Sequence, residues 1–163
     1  MNNKITIELT PEQYEMVKKQ LECQEVKKTP FDRVYKESYY FINDDSSISR
    51  VYDADFSGAN RRYKAANYCT DKDLLQQQAY RETLNRLLWR FSMQNGGDEI
   101  DWSDCRQRKY CIYYNHKASI FKVDFFQSFE HFNKVYFISR EIAQRAINEI
   151  IEPFCEKHPD FKF

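Results

Sequence analysis

Glycine is scarce in this chain: Gly58, Gly96 and Gly97 are the only three in 163 residues. Average usage of about 7% would give roughly 11. Three cannot build a phosphate-cradling loop of the GxGxxG or Walker type, which needs several within a few residues. Net charge is missing too, with 25 Lys and Arg facing 25 Asp and Glu. A protein that wraps nucleic acid needs a positive excess to displace counterions, and an acidic DNA mimic working by bulk charge needs the reverse. No run of residues approaches 18 apolar positions, so no membrane span is expected. The start, MNNKITIELT, has no apolar stretch of the kind that marks a signal peptide. Cysteines are few and odd in number: Cys23, Cys69, Cys105, Cys111 and Cys155. Their irregular spacing argues against a disulfide framework and for reduced thiols in a cytoplasm. Cys105-x5-Cys111-x4-His116 is the nearest approach to a metal pattern, but structural zinc uses closer cysteine pairs. No metal and no cofactor is expected.

Aromatic residues, by contrast, are abundant. Thirteen Phe, twelve Tyr and two Trp make 17% of the chain, at a mean hydropathy of −0.82. Disordered chains lack such rings, so a folded domain is expected. Alternation over 4–9 predicts a strand. Thr10, Pro11 and Glu12 then read as a helix start, with a helix over 11–23 that presents Tyr14, Val17 and Leu21 on one face. Tyr39–Ile42, a turn at Asn43–Ser47 and Ile48–Tyr52 predict a hairpin. Residues 53–65 read as irregular and 67–69 as extended. Asp71 caps a helix over 72–94, whose Leu84, Leu87, Leu88 and Phe91 share a face, and Asn95-Gly96-Gly97 ends it. The same order then recurs: strand 110–114, turn 115–117, strand 119–126, extended 135–138, and a helix over 140–151 capped by Ser139 and ended or kinked at Pro153. Ile42 and Ile112 are 70 positions apart, and Tyr68 and Tyr136 are 68 apart. The expectation is an α+β protein with antiparallel sheets. It comprises an N-terminal strand–helix element and connection (1–33), a first β-rich module ending in a long helix (34–97), and a second, similar module (98–163).

Three segments carry a resemblance. They are Tyr39-Tyr40-Phe41-Ile42 with Asn60-Arg61-Arg62-Tyr63 and Asn67-Tyr68-Cys69; Glu99–Asp104 with Lys109–Tyr114; and Val135–Ala143 with its helix. This pattern resembles small phage and prophage accessory proteins, some of which act as anti-defence, anti-CRISPR-like inhibitors. It spans about 35–152. The sequence departs from the family at Cys69 and Cys111, where aromatic residues are commoner. The resemblance implies a phage gene product in the cytoplasm of the infected bacterial host. It also implies a host defence protein as partner, a nuclease or its guide complex.

The residues themselves point to binding rather than catalysis. His116, His131 and His158 stand in no nucleophile context, and Asp53 and Asp55 lack the further residues of a nuclease site, so no catalytic residue is expected. Arg61, Arg62, Tyr63 and Lys64, with Arg106, Arg108 and Lys109 leading into Tyr110, are the candidate partner-binding residues. Arginine beside tyrosine suits a protein interface. It suits stacking on single-stranded nucleic acid as well, which stands as the alternative function. The plainer account is edge-strand charge that discourages aggregation. Asp98, Glu99, Asp101 and Asp104 form a secondary acidic surface, or a solvated link. Residues 71–105 hold four Lys or Arg against seven Asp or Glu, and residues 106–163 hold ten against seven. Such a split favours a specific charged partner over a uniform polyanion. Phe125, Phe126, Phe129 and Phe132 are the densest rings, and most of them are expected in the core.

Overall fold

Asn43 and Asp45 close the first hairpin with their own side chains. Asp45 accepts from the Ser47 amide at 3.0 Å, and Asn43 Nδ2 donates to Ser49 Oγ at 2.8 Å. Ser46, at φ 68°, supplies the left-handed residue that the turn requires. The strands on either side are β1 (Ser38–Ile42) and β2 (Ile48–Tyr52), paired antiparallel with Tyr40 opposite Arg50. The computed structural model describes residues 9–22, 28–54 and 56–163. Of the strand expected over 4–9, residues 4–8 lie outside the described residues, as do Cys23 and Asp55, and Leu9 is exposed and in no strand.

A second sheet contains β3 (Lys109–Asn115), β4 (Ile120–Phe126) and the short β5 (Tyr136–Phe137), in the order β4-β3-β5 and antiparallel throughout. The fold is therefore α+β with antiparallel strands. In the first sheet Cys69 bridges Tyr40 of β1, and in the second Phe137 opposes Tyr110 of β3. Each third segment ends two residues before a helix N-cap. Asp71 accepts from the Asp73 and Leu74 amides at 2.9 and 3.0 Å, and Ser139 accepts from Ile142 at 3.2 Å. A cap of this kind contributes about 1 kcal/mol.

Helix α1 (Pro11–Glu22) begins on a full capping box: Thr10 Oγ1 accepts from the Gln13 amide at 3.3 Å, and Gln13 Oε1 accepts from the Thr10 amide at 3.0 Å. Its expected inward face is not inward, because Tyr14 and Val17 are exposed. Helix α2 (Ser57–Lys64) lies where an irregular loop was expected. Its one buried residue, Ala59, lies against Tyr39 and Tyr68. One small apolar residue leaves no periodicity to read in the sequence.

Helix α3 (Lys72–Gln94) serves both sheets. Its Leu84 joins Ile147, Ile151 and Phe154, and its Phe91 joins Phe137, Ala143 and Ala146. The C-terminal helix does not stop at Pro153. It runs as α4 (Arg140–Ala146), a π-helical stretch (Ile147–Ile151) and α5 (Glu152–Lys157). The wider π turn gives the proline ring room where an α turn would press it on the carbonyl four residues back.

Candidate interaction surface

The first basic segment splits between structure and surface. On α2, Arg62 turns inward: its guanidinium lies 3.6 Å from the Phe41 ring centroid and donates to the Tyr39 hydroxyl at 3.0 Å. It is a clamp on the first sheet. Arg61 and Lys64 are exposed, and no side-chain hydrogen bond or ion pair engages them among the described residues. Tyr63 is also exposed, edge-on to Tyr68 at 5.6 Å.

Lys109 requires a correction. It is fully buried, where a binding residue was expected. Its Nζ donates to the backbone carbonyls of Asp104 (2.5 Å) and Gln127 (3.0 Å) and lies 5.4 Å from the Trp102 ring centroid. Buried ammonium groups need such partners, and here the lysine ties two loops together. Arg106 is exposed. Arg108 is exposed too, with its guanidinium 4.8 Å from the Phe125 centroid. No hydrogen bond, ion pair or ring contact joins this segment to α2 among the described residues.

Most of the dense phenylalanines lie outside the core. Phe132 is 100% exposed, Phe129 is 73% exposed, and Phe125 is exposed at the end of β4. The loop carrying Phe129 and Phe132 is fixed from within. The His131 amide donates to the Tyr136 hydroxyl at 2.8 Å, its Nδ1 lies 2.9 Å from the same oxygen, and its ring packs edge-on against Phe126. Gln127 Nε2 reaches the Arg106 carbonyl at 3.5 Å. Arg106, Arg108, Phe125 and the Phe129–Phe132 loop thus share one end of the second sheet. Exposed rings on a fixed loop lose little entropy when a partner covers them.

The acidic link is mostly turn chemistry. Asp98 and Glu99 are exposed in a single 3-10 turn (Gly97–Glu99). Asp101 accepts from the Ser103 amide and hydroxyl, and those bonds, the hydroxyl first, hold its carboxyl below the usual range. Asp104 accepts from the Arg106 amide at 2.8 Å. No group of three His, Cys, Asp or Glu side chains among the described residues is placed to hold a metal ion. Cys105 is exposed and Cys111 buried, and burial pushes the Cys111 thiol up.

Two features were not read from the sequence. Asp53 is fully buried and meets Arg33 through two hydrogen bonds of 2.7 and 2.9 Å, while Arg33 also donates to Asn60. This carboxylate is a structural tie across residues 33–60. The second feature is Trp89, 58% exposed on α3 between the exposed Arg86 and Arg90. A sequence signal existed: residues 86, 89, 90 and 93 fall between the apolar positions 84, 87, 88 and 91. A cleft of about 380 Å³ separates this stripe from the β1–β2 turn, and one of about 530 Å³ lies on the other side of the turn, against Arg62 and Asn67. No protein-family model, no curated protein and no solved structure matches this chain.

Proposed function

We propose that this chain is a non-enzymatic, phage-encoded accessory protein that binds and inhibits a host defence protein, a CRISPR effector nuclease or its guide complex. The defence target rests on the resemblance of residues 35–152 to phage accessory proteins. The observation that supports binding is the end of the second sheet, where Arg106 and Arg108 accompany Phe125, Phe129 and Phe132. Arginine and large aromatic residues carry most of the energy of protein interfaces. It is the grouping of these rings, rather than the exposure of any one of them, that marks an interaction site. Arg61, Tyr63 and Lys64 on α2 are a separate candidate surface, with Asp98, Glu99, Asp101 and Asp104 as a secondary acidic surface. Arg62 and Lys109 belong to the scaffold beneath them.

The test is titration of the purified chain into reconstituted, guide-loaded effector nucleases while cleavage is followed. Inhibition that saturates at a fixed molar ratio and persists as salt is raised supports a protein target. Binding to short single-stranded DNA or RNA that weakens steeply with salt would move the function to nucleic-acid binding. Full nuclease activity across the panel would overturn the inhibitory reading.

A further inference from the structure

Trp89 is the largest side chain that α3 turns away from the core. Arg86, Arg90 and Met93 stand at i−3, i+1 and i+4, and all four are exposed. Across the 380 Å³ cleft stands the β1–β2 turn with Asp44 and Asp45, and Leu87 and Thr83 complete the lining. Arg86 is held in place, donating to Ser46 Oγ at 2.7 Å. Asp44 and Arg90 have no side-chain hydrogen bond or ion pair among the described residues. One patch therefore carries a free cation, a free anion, an exposed indole and a cleft.

Such a patch is its own complement. In an isologous pair built on this face, Arg90 of one copy would meet Asp44 of the other, twice over, and each indole would lie toward the other copy's cleft. A polyanion would meet Asp44 and Asp45 at the same spot, and a polycation would meet Arg86 and Arg90. A second copy satisfies both signs. The chain's zero net charge sets no long-range repulsion between copies. We propose that the Trp89 face is the interface of an isologous homodimer. This goes beyond the inhibitory reading and does not depend on it.

The test is sedimentation equilibrium of the full chain up to about 1 mM, the weak end of specific association. The wild type is expected to approach twice the 19.8 kDa chain mass. Trp89→Ala, Asp44→Arg and Arg90→Asp are each expected to stay at the monomer mass. An equimolar mixture of Asp44→Arg and Arg90→Asp should dimerise again, because the mixed dimer keeps one native Arg90–Asp44 contact and replaces the other with an arginine–aspartate contact of exchanged ends. All three positions are exposed, and circular dichroism checks folding. Should Trp89→Ala misfold, the charge exchange still decides. A wild type that stays monomeric, a dimer indifferent to all three changes, or a mixture that stays monomeric would each overturn the proposal. A monomer that still inhibits its target overturns the dimer and leaves the inhibitory reading standing.

Discussion

At the residue scale, neighbouring basic side chains do different work. Arg61 and Arg62 are adjacent, yet one faces solvent and the other clamps Phe41 and Tyr39. Arg106 and Lys109 divide in the same way. Substitution should separate the roles. Arg61→Ala and Arg106→Ala are expected to leave stability within about 0.5 kcal/mol. Arg62→Ala should cost about 1–2 kcal/mol through the lost cation–π contact and hydrogen bond. Lys109→Ala should cost about 1–3 kcal/mol because the carbonyls of Asp104 and Gln127 lose the donor that joins them. Urea denaturation of the four variants checks the order, and equal effects would contradict it. Titration gives a second expectation. Burial raises the thiols of Cys69, Cys111 and Cys155 above 9.0 and the phenols of Tyr68, Tyr80 and Tyr136 above 10.0. The folded chain then holds these protons longer than the unfolded chain does. Their contribution is complete below the ordinary thiol value and is lost as pH rises through the folded values. Urea midpoints should fall as pH rises past the ordinary thiol value of about 8.5 and continue to fall past the ordinary phenol value of about 10. A midpoint that rises with pH there would refute this.

At the element scale, the end of α3 is the tightest junction. Gly97 packs where an added Cβ would lie 2.8 Å from the Ser92 carbonyl carbon and oxygen. Ser92 Oγ in turn donates to the Tyr136 carbonyl of β5. Helix end, 3-10 turn and third strand therefore meet at one point. Gly97→Ala should cost at least about 1–3 kcal/mol, the usual penalty of overpacking. Gly96 has room for a Cβ but sits at φ 84°, so Gly96→Asn should be the milder change. Thermal melting compares the two, and the reverse order would contradict the packing. Elements with local signals were legible in the sequence. Asp71 and the spaced leucines gave α3 from 72 to 94, and alternation with turn residues gave both hairpins. Helix α2 was illegible because a single buried alanine carries its packing. The fate of Lys109 was illegible because its partners are carbonyls, which every residue has. The exposure of Phe129 and Phe132 depends on His131 meeting Tyr136, and no periodicity reports such a contact. Tyr14 and Val17 err the other way, with helical spacing but no core above them.

At the scale of the whole molecule, zero net charge hides an uneven surface. Exposed arginines gather beside exposed rings at two places, the Arg106–Phe132 end of the second sheet and the Trp89 stripe of α3. No helix among the described residues is long and apolar enough to cross a membrane. On the proposed function, target binding belongs to the first place, and on the proposed dimer, self-association belongs to the second. Phe129→Ser/Phe132→Ser should leave the melting temperature nearly unchanged, because neither ring packs in the core. The most direct test is the affinity of Arg106→Ala/Arg108→Ala and of Phe129→Ser/Phe132→Ser for the nuclease target proposed above, measured with folding verified. A loss of at least about 2 kcal/mol, some thirtyfold, is expected in one pair or both. Two well-folded variants that bind and inhibit as the wild type does would contradict it.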